Sequence, residues 1–143
     1  MNRTTLAIAL AISISMLSAA CTGTAPGSPA AESPVTEAEA RAIAGEMLAA
    51  YNDGDYAAWS RHWSQRMKDA IDAEAFGGFR TQAMESAGRF EEIEDVALRP
   101  ARDRADAVRW EFTSRFTRQT VVFTIVFHTD STQIEGVDFR TAG

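Results

Sequence analysis

Two histidines, one cysteine and twenty acids are the groups that could do chemistry in this 143-residue chain. His62 stands between Trp59 and Trp63, offset from the face they share, and lines a cavity or sits at its edge. A general base must lie within hydrogen-bond reach of its substrate, and a catalytic imidazole normally has a second group to orient it. Neither of the acids Glu46 and Asp69 is three or four residues away from His62 on a helix. A partner from the sheet, such as Glu111 or Asp138, could still supply that role across the cone. His62 is accordingly read as structural, and His128, near a strand end, as exposed or satisfied by a neighbour. Two His and one Cys do not make a Cys/His zinc site, and a two-His site lacks a third ligand. Asp53-Gly54-Asp55 invites a calcium reading but has neither the further ligands nor the closing Glu of a calcium loop, so these acids are turn and cap residues. Asp138 and Arg140 form a solvent-face pair on the last strand. Arg99, Arg102, Arg104 and Arg109, interleaved with Asp103 and Asp106, make a solvated loop. No phosphate loop, dinucleotide fingerprint or Ser–His–Asp order is present. No catalytic residue, metal ligand or cofactor is assigned.

The remaining candidates are aromatic. Tyr51, Trp59, His62, Trp63, Phe79, Trp110 and Phe112 are the residues that would line a cavity, since ligand pockets are mostly apolar with a few polar groups. With Phe116, the aromatic members of this set are equally core residues, and sequence does not separate the two roles.

Fourteen Lys and Arg against twenty Asp and Glu give a net charge of −6, and only Arg3 among these lies in the first thirty-one residues. That sign opposes a nucleic-acid partner, whose phosphates call for a surplus of Lys and Arg. A single Cys excludes an intrachain disulfide framework, and 45% apolar with 24% charged residues is ordinary for a globular protein.

The chain opens with a segment of another kind. Arg3 precedes a twelve-residue apolar run, Leu6 to Leu17, and then the small residues Ser18-Ala19-Ala20. This is the plan of a secretory signal peptide, too short for a membrane-spanning helix. Ser18-Ala19-Ala20-Cys21 resembles the lipobox of prokaryotic lipoproteins, with Ser18 where Leu is usual and Leu17 one step further back. The resemblance implies that Cys21 is lipidated and becomes the new N-terminus. Two acyl chains anchor stably where one is reversible. Residues 1–20 are then a signal peptide and 21–35 a lipidated Cys with a Pro/Gly/Ser-rich tether that cannot bury enough surface to order itself. The chain would be held at the cell membrane, facing away from the cytoplasm.

The domain follows, over 36–143. Thr36 and Glu39 spell a capping box, with Val35 as a staple, and apolar spacing predicts a helix over 36–51. Gly54 suits its left-handed end, and Asp55 caps a second helix over 56–63. Asp72 caps a third over 72–86, which Gly77-Gly78 should weaken or bend. Beyond Gly88 the period becomes two. Strands are expected at 90–98, where Glu91, Glu92, Glu94 and Asp95 would protect an edge, and at 107–116, where alternation is strict. A third over 121–128 is apolar on both faces and therefore central, and a last one over 134–139 should bulge at Gly136.

Helices followed by a meander make an α+β fold, with the helices on the concave face of a curved, mostly antiparallel sheet. Tyr51-Asn52-Asp53-Gly54-Asp55-Tyr56, an aromatic second helix, Gly88-Arg89-Phe90, and Ile134-Glu135-Gly136-Val137-Asp138-Phe139 together resemble the nuclear transport factor 2-like superfamily. The similarity covers about 36–140 and is greatest to a small secreted branch of unknown function. It implies a cone-shaped cavity between helices and sheet. The expected role is a non-enzymatic module for a small ligand or a protein partner. An isomerase or cyclase using a His or Asp in the cone, and a scaffold acting through its sheet face as a homodimer, are the alternatives.

Overall fold

The computed structural model describes residues 32–143. The signal peptide, Cys21 and most of the tether lie outside the described residues. Four helices are followed by four strands: α1 Glu37–Asp53, α2 Tyr56–Trp59, α3 Gln65–Ala70, α4 Ala73–Ser86, β1 Phe90–Pro100, β2 Ala107–Phe116, β3 Thr120–His128 and β4 Ile134–Thr141. The strands form one antiparallel sheet in the order β1-β2-β3-β4.

Short-range chemistry sets the helix starts. The Thr36 hydroxyl accepts from Glu39 N–H while the Glu39 carboxylate accepts from Thr36 N–H, closing the capping box. The Thr36 N–H, with the Thr36 hydroxyl also donating, holds the Glu39 carboxyl below its ordinary pKa. Asp55, Ser64 and Asp72 each accept from the backbone N–H three residues on, opening α2, α3 and α4. Gly54 ends α1 at φ +73°.

Helix two is shorter than its aromatic spacing predicts. After Trp59 the chain leaves the helix, and residues 62–64 run alongside β4. Ile134 N–H donates to His62 C=O, and Ser64 N–H donates to Ile134 C=O. A sheet edge thus captures backbone groups that a longer helix would have used, and Ser64 starts α3, a helix that periodicity does not announce. Gly77 and Gly78 leave α4 unbroken. A Cβ at either would have nothing within 4 Å, so neither glycine serves close packing.

The Tyr51-Asn52 pair joins the two halves. Tyr51 O–H donates to Gly88 C=O at 2.8 Å, and the Asn52 side chain bonds both backbone groups of Phe90. Arg80 donates to the carbonyls of Tyr51 and Asn52. Burial, partly countered by Arg80, pushes the Tyr51 phenol up from its ordinary pKa.

Alternation decides which side of the sheet is covered. Val108, Trp110, Phe112 and Phe116 on β2, with Val121, Phe123, Ile125 and Phe127 on β3, are buried beneath the helices. The facing rows on β1 and β4 complete this inner surface. β2 has the predicted bounds, and β3 is interior as predicted. β1 continues to Pro100 and β4 to Thr141 because the ladders with β2 and β3 persist that far. Register shifts along β1 and near Gly136, where Val126 pairs Gly136 but Phe127 pairs Ile134, bend the edge strands around the helices. The result is the α+β plan of helices laid on a curved antiparallel sheet.

Candidate functional site

Between α4 and the β3–β4 side of the sheet the helices do not close, and a cleft of about 410 Å³ remains. Its walls are aromatic. Trp59 and Trp63, from α2 and the segment after it, meet edge to face at 6.4 Å. Phe76 and Phe79 come from one face of α4, with Phe76 5.3 Å from Trp59. Phe123 and Phe139 come from the sheet, and Phe139 meets Phe79 edge to face at 5.3 Å. Ile71, Ala75 and Val137 complete the apolar lining.

Asp138 also borders the cleft, the one ionisable residue among the described residues that does. Alternation on β4 resolves its role. Val137 and Phe139 turn inward, so Asp138, opposite Thr124, directs its carboxylate to the other sheet face. The cleft is therefore bordered by Asp138 backbone and carries no inward charge among the described residues.

The residues singled out from the sequence separate into three places. Trp59, Trp63 and Phe79 line the cleft. Tyr51, Trp110 and Phe112 are packed beneath or beyond it, Tyr51 with its ring 5.7 Å from those of Phe116 and Phe139. Trp110 donates its indole N–H to Ser33, tying the last tether residues to the domain. His62 lies outside. Its Nε2 is 3.1 Å from the Glu46 carboxylate, which Arg61 also approaches at 3.5 Å. Glu46, set aside on helical spacing, is thus the acid that meets the imidazole, because the 62–64 segment brings His62 to α1 rather than to Glu111 or Asp138. Phe76, Phe123, Val137 and Phe139 also line the cleft, beyond the residues that sequence singles out. Phe76 precedes Phe79 by three positions on one helix face, a signal that was legible. Phe139 depends on the bulge at β4.

The other charged groups are also placed. His128 sits between the carboxylates of Asp106 and Asp130, and Arg104 pairs with Asp106. That hydrogen bond from Arg104 is the main reason the Asp106 carboxyl lies below its ordinary pKa. Arg140 pairs with Glu111, not with Asp138, and Arg99 and Arg109 converge on the same carboxylate. The arginines adjacent in sequence are thus split between a loop and the outer sheet face. Arg115 gathers Glu91, Glu92 and Glu94. Among the described residues no three His, Cys, Asp or Glu side chains are placed to hold a metal ion, and no helix is long and apolar enough to cross a membrane.

An aromatic cleft in an α+β domain, without an acid–base pair facing it, defines the site. No family model matches the chain, and no curated protein matches it. Among solved structures, the chain is similar to the crystal structure of AclR, titled "a putative hydroxylase from Streptomyces galilaeus". The identity is 15% and the TM-score 0.40, over 75% of this chain and 82% of that one. Similarity at that level carries no argument about the site or its chemistry.

Proposed function

We propose that the domain binds a small apolar molecule in the cleft between α4 and the β3–β4 edge, without transforming it. One observation carries this reading: six aromatic side chains surround about 410 Å³ of space into which no ionisable side chain of the described residues points. Proton transfer requires a titratable group at the substrate, and His62 faces away. Apolar walls with little polar surface are what a ligand pocket needs. We further propose that Cys21 is lipidated and that the tether presents the domain outside the cytoplasm, on the strength of the lipobox-like Ser18-Ala19-Ala20-Cys21. Titration with the neutral fluorophore N-phenyl-1-naphthylamine tests the cleft. Emission should rise on binding, and Ala75→Trp, which fills the cleft from α4, should suppress it while the circular dichroism spectrum is kept. An unchanged titration in that variant would place the binding elsewhere.

The outer sheet face supports a second reading, as a self-pairing surface. Thr124 is only 5% exposed there, and Val122 and Val126 are half-buried, although no helix among the described residues covers them. Sedimentation equilibrium decides between a monomer, which removes this reading, and a dimer that Val126→Arg dissociates.

A further inference from the structure

Two ion-pair clusters at opposite ends of the outer sheet face are inverses of each other in charge. At one end Arg99, Arg109 and Arg140 share the Glu111 carboxylate, at 3.6, 3.3 and 3.2 Å. Three guanidiniums against one carboxylate leave a positive surplus. Asp138, past Thr124 in the same row, reduces that surplus without reversing it. At the other end Glu91, Glu92 and Glu94 share the Arg115 guanidinium, at 2.9, 2.6 and 3.5 Å. Three carboxylates against one guanidinium leave a negative surplus, and Asp95, opposite Thr113, adds to it. Glu111 and Arg115 are four residues apart on β2 with Thr113 midway, so the two centres stand about 13 Å apart. The rest of the face beside them, Thr113, Val122, Thr124 and Val126, is uncharged.

Building on the self-pairing reading above, we infer that a second copy of this chain covers the face, turned about a twofold axis that crosses β2 near Thr113. The Glu111–arginine cluster of each copy then meets the Arg115–glutamate cluster of the other. A twofold interface is made of one patch that must complement itself. A face whose ends differ in sign does so when the strands of the two copies run in opposite directions, and an axis across the strands reverses them. A partner of one charge would be attracted at one end and repelled at the other. A single exposed ion pair contributes little. Here the axis repeats both contacts, and the uncharged residues between them lose water at small cost.

Reciprocal charge reversals, followed by sedimentation equilibrium on the whole chain, test this. Arg99→Glu with Arg140→Glu makes both ends acidic, and Glu92→Arg with Glu94→Arg makes both ends basic. These four side chains are 39–57% exposed, so the reversals leave the core untouched. Each double variant alone should dimerise on the order of a hundredfold more weakly than the wild type, because the axis brings like charges together at both ends. An equimolar mixture of the two should recover the wild-type affinity as a heterodimer. The wild-type dimer should weaken as salt is raised, and that series decides should a variant not fold. A dimer that salt leaves unchanged, reversals that leave it intact, or folded variants that stay apart when mixed each overturn the inference and leave the self-pairing reading standing. A monomeric wild-type chain defeats both.

Discussion

Trp110 and His62 show how differently two residues of similar sequence prominence behave. Trp110 is 5% exposed on the inner face of β2, with its indole N–H bonded to Ser33. Truncation to Ala removes a large buried side chain and leaves a cavity, so Trp110→Ala should cost about 3–5 kcal/mol in denaturant unfolding. A loss below about 1 kcal/mol, the range of surface changes, would contradict its place in the core. His62 is a third exposed and shares the Glu46 carboxylate with Arg61. Exposed pairs contribute little, so His62→Ala should change stability by under about 1 kcal/mol. It should leave fluorophore affinity within a few-fold. A collapse of binding in that variant would bring His62 back into the site.

At the scale of elements, the glycines divide by what surrounds them. Gly88 joins α4 to β1 at φ +83°, and a Cβ there would stand 2.0 Å from the Thr117 hydroxyl. Gly88→Ala should therefore cost more than the roughly 1–2 kcal/mol of the left-handed conformation alone. Adding Thr117→Ala should recover the steric part and not the conformational part, which a double-mutant cycle measures. Gly77 lies in α4 with open space around it, and Gly77→Ala should raise stability by about 0.5–1 kcal/mol. The capping box gives α1 a pH dependence. Because the folded state lowers the Glu39 pKa, its contribution is complete above the ordinary carboxylate range and is lost as pH falls through the lowered value. Glu39→Gln should flatten the acid limb of the stability profile; an identical limb would exclude that coupling.

At the scale of the whole molecule, the proposed anchor at Cys21 would meet the domain at residues 33–35. Ser33 and Val35 are fixed to the domain through Trp110 and the core, so the tether that joins Cys21 to the fold ends there. If Cys21 carries two acyl chains, the mature chain should fractionate with membranes, and Cys21→Ala should abolish the added lipid mass. A mature chain starting elsewhere, without lipid mass, would refute the anchor and leave the cleft unaffected.

Local spacing alone determined a good deal. Thr36 with Glu39, Asp55 and Asp72 mark helix starts, and the strict alternation of Ala107–Phe116 yields a strand with those same bounds. Caps and alternation act over three or four residues, so the order of residue types is sufficient to read them. The site needed distant segments to meet. The pairing of residues 62–64 with Ile134 shortened α2, started α3 and turned His62 out to Glu46. The bulge beside Gly136 set which β4 residues face inward, and so brought Val137 and Phe139 to the cleft and kept the Asp138 carboxylate out. The shortened α2 and the outward His62 depend on competition for backbone hydrogen bonds at a sheet edge, and tertiary structure alone decided them, whereas the bulge at Gly136 was already legible in the parity break of Ile134, Val137 and Phe139.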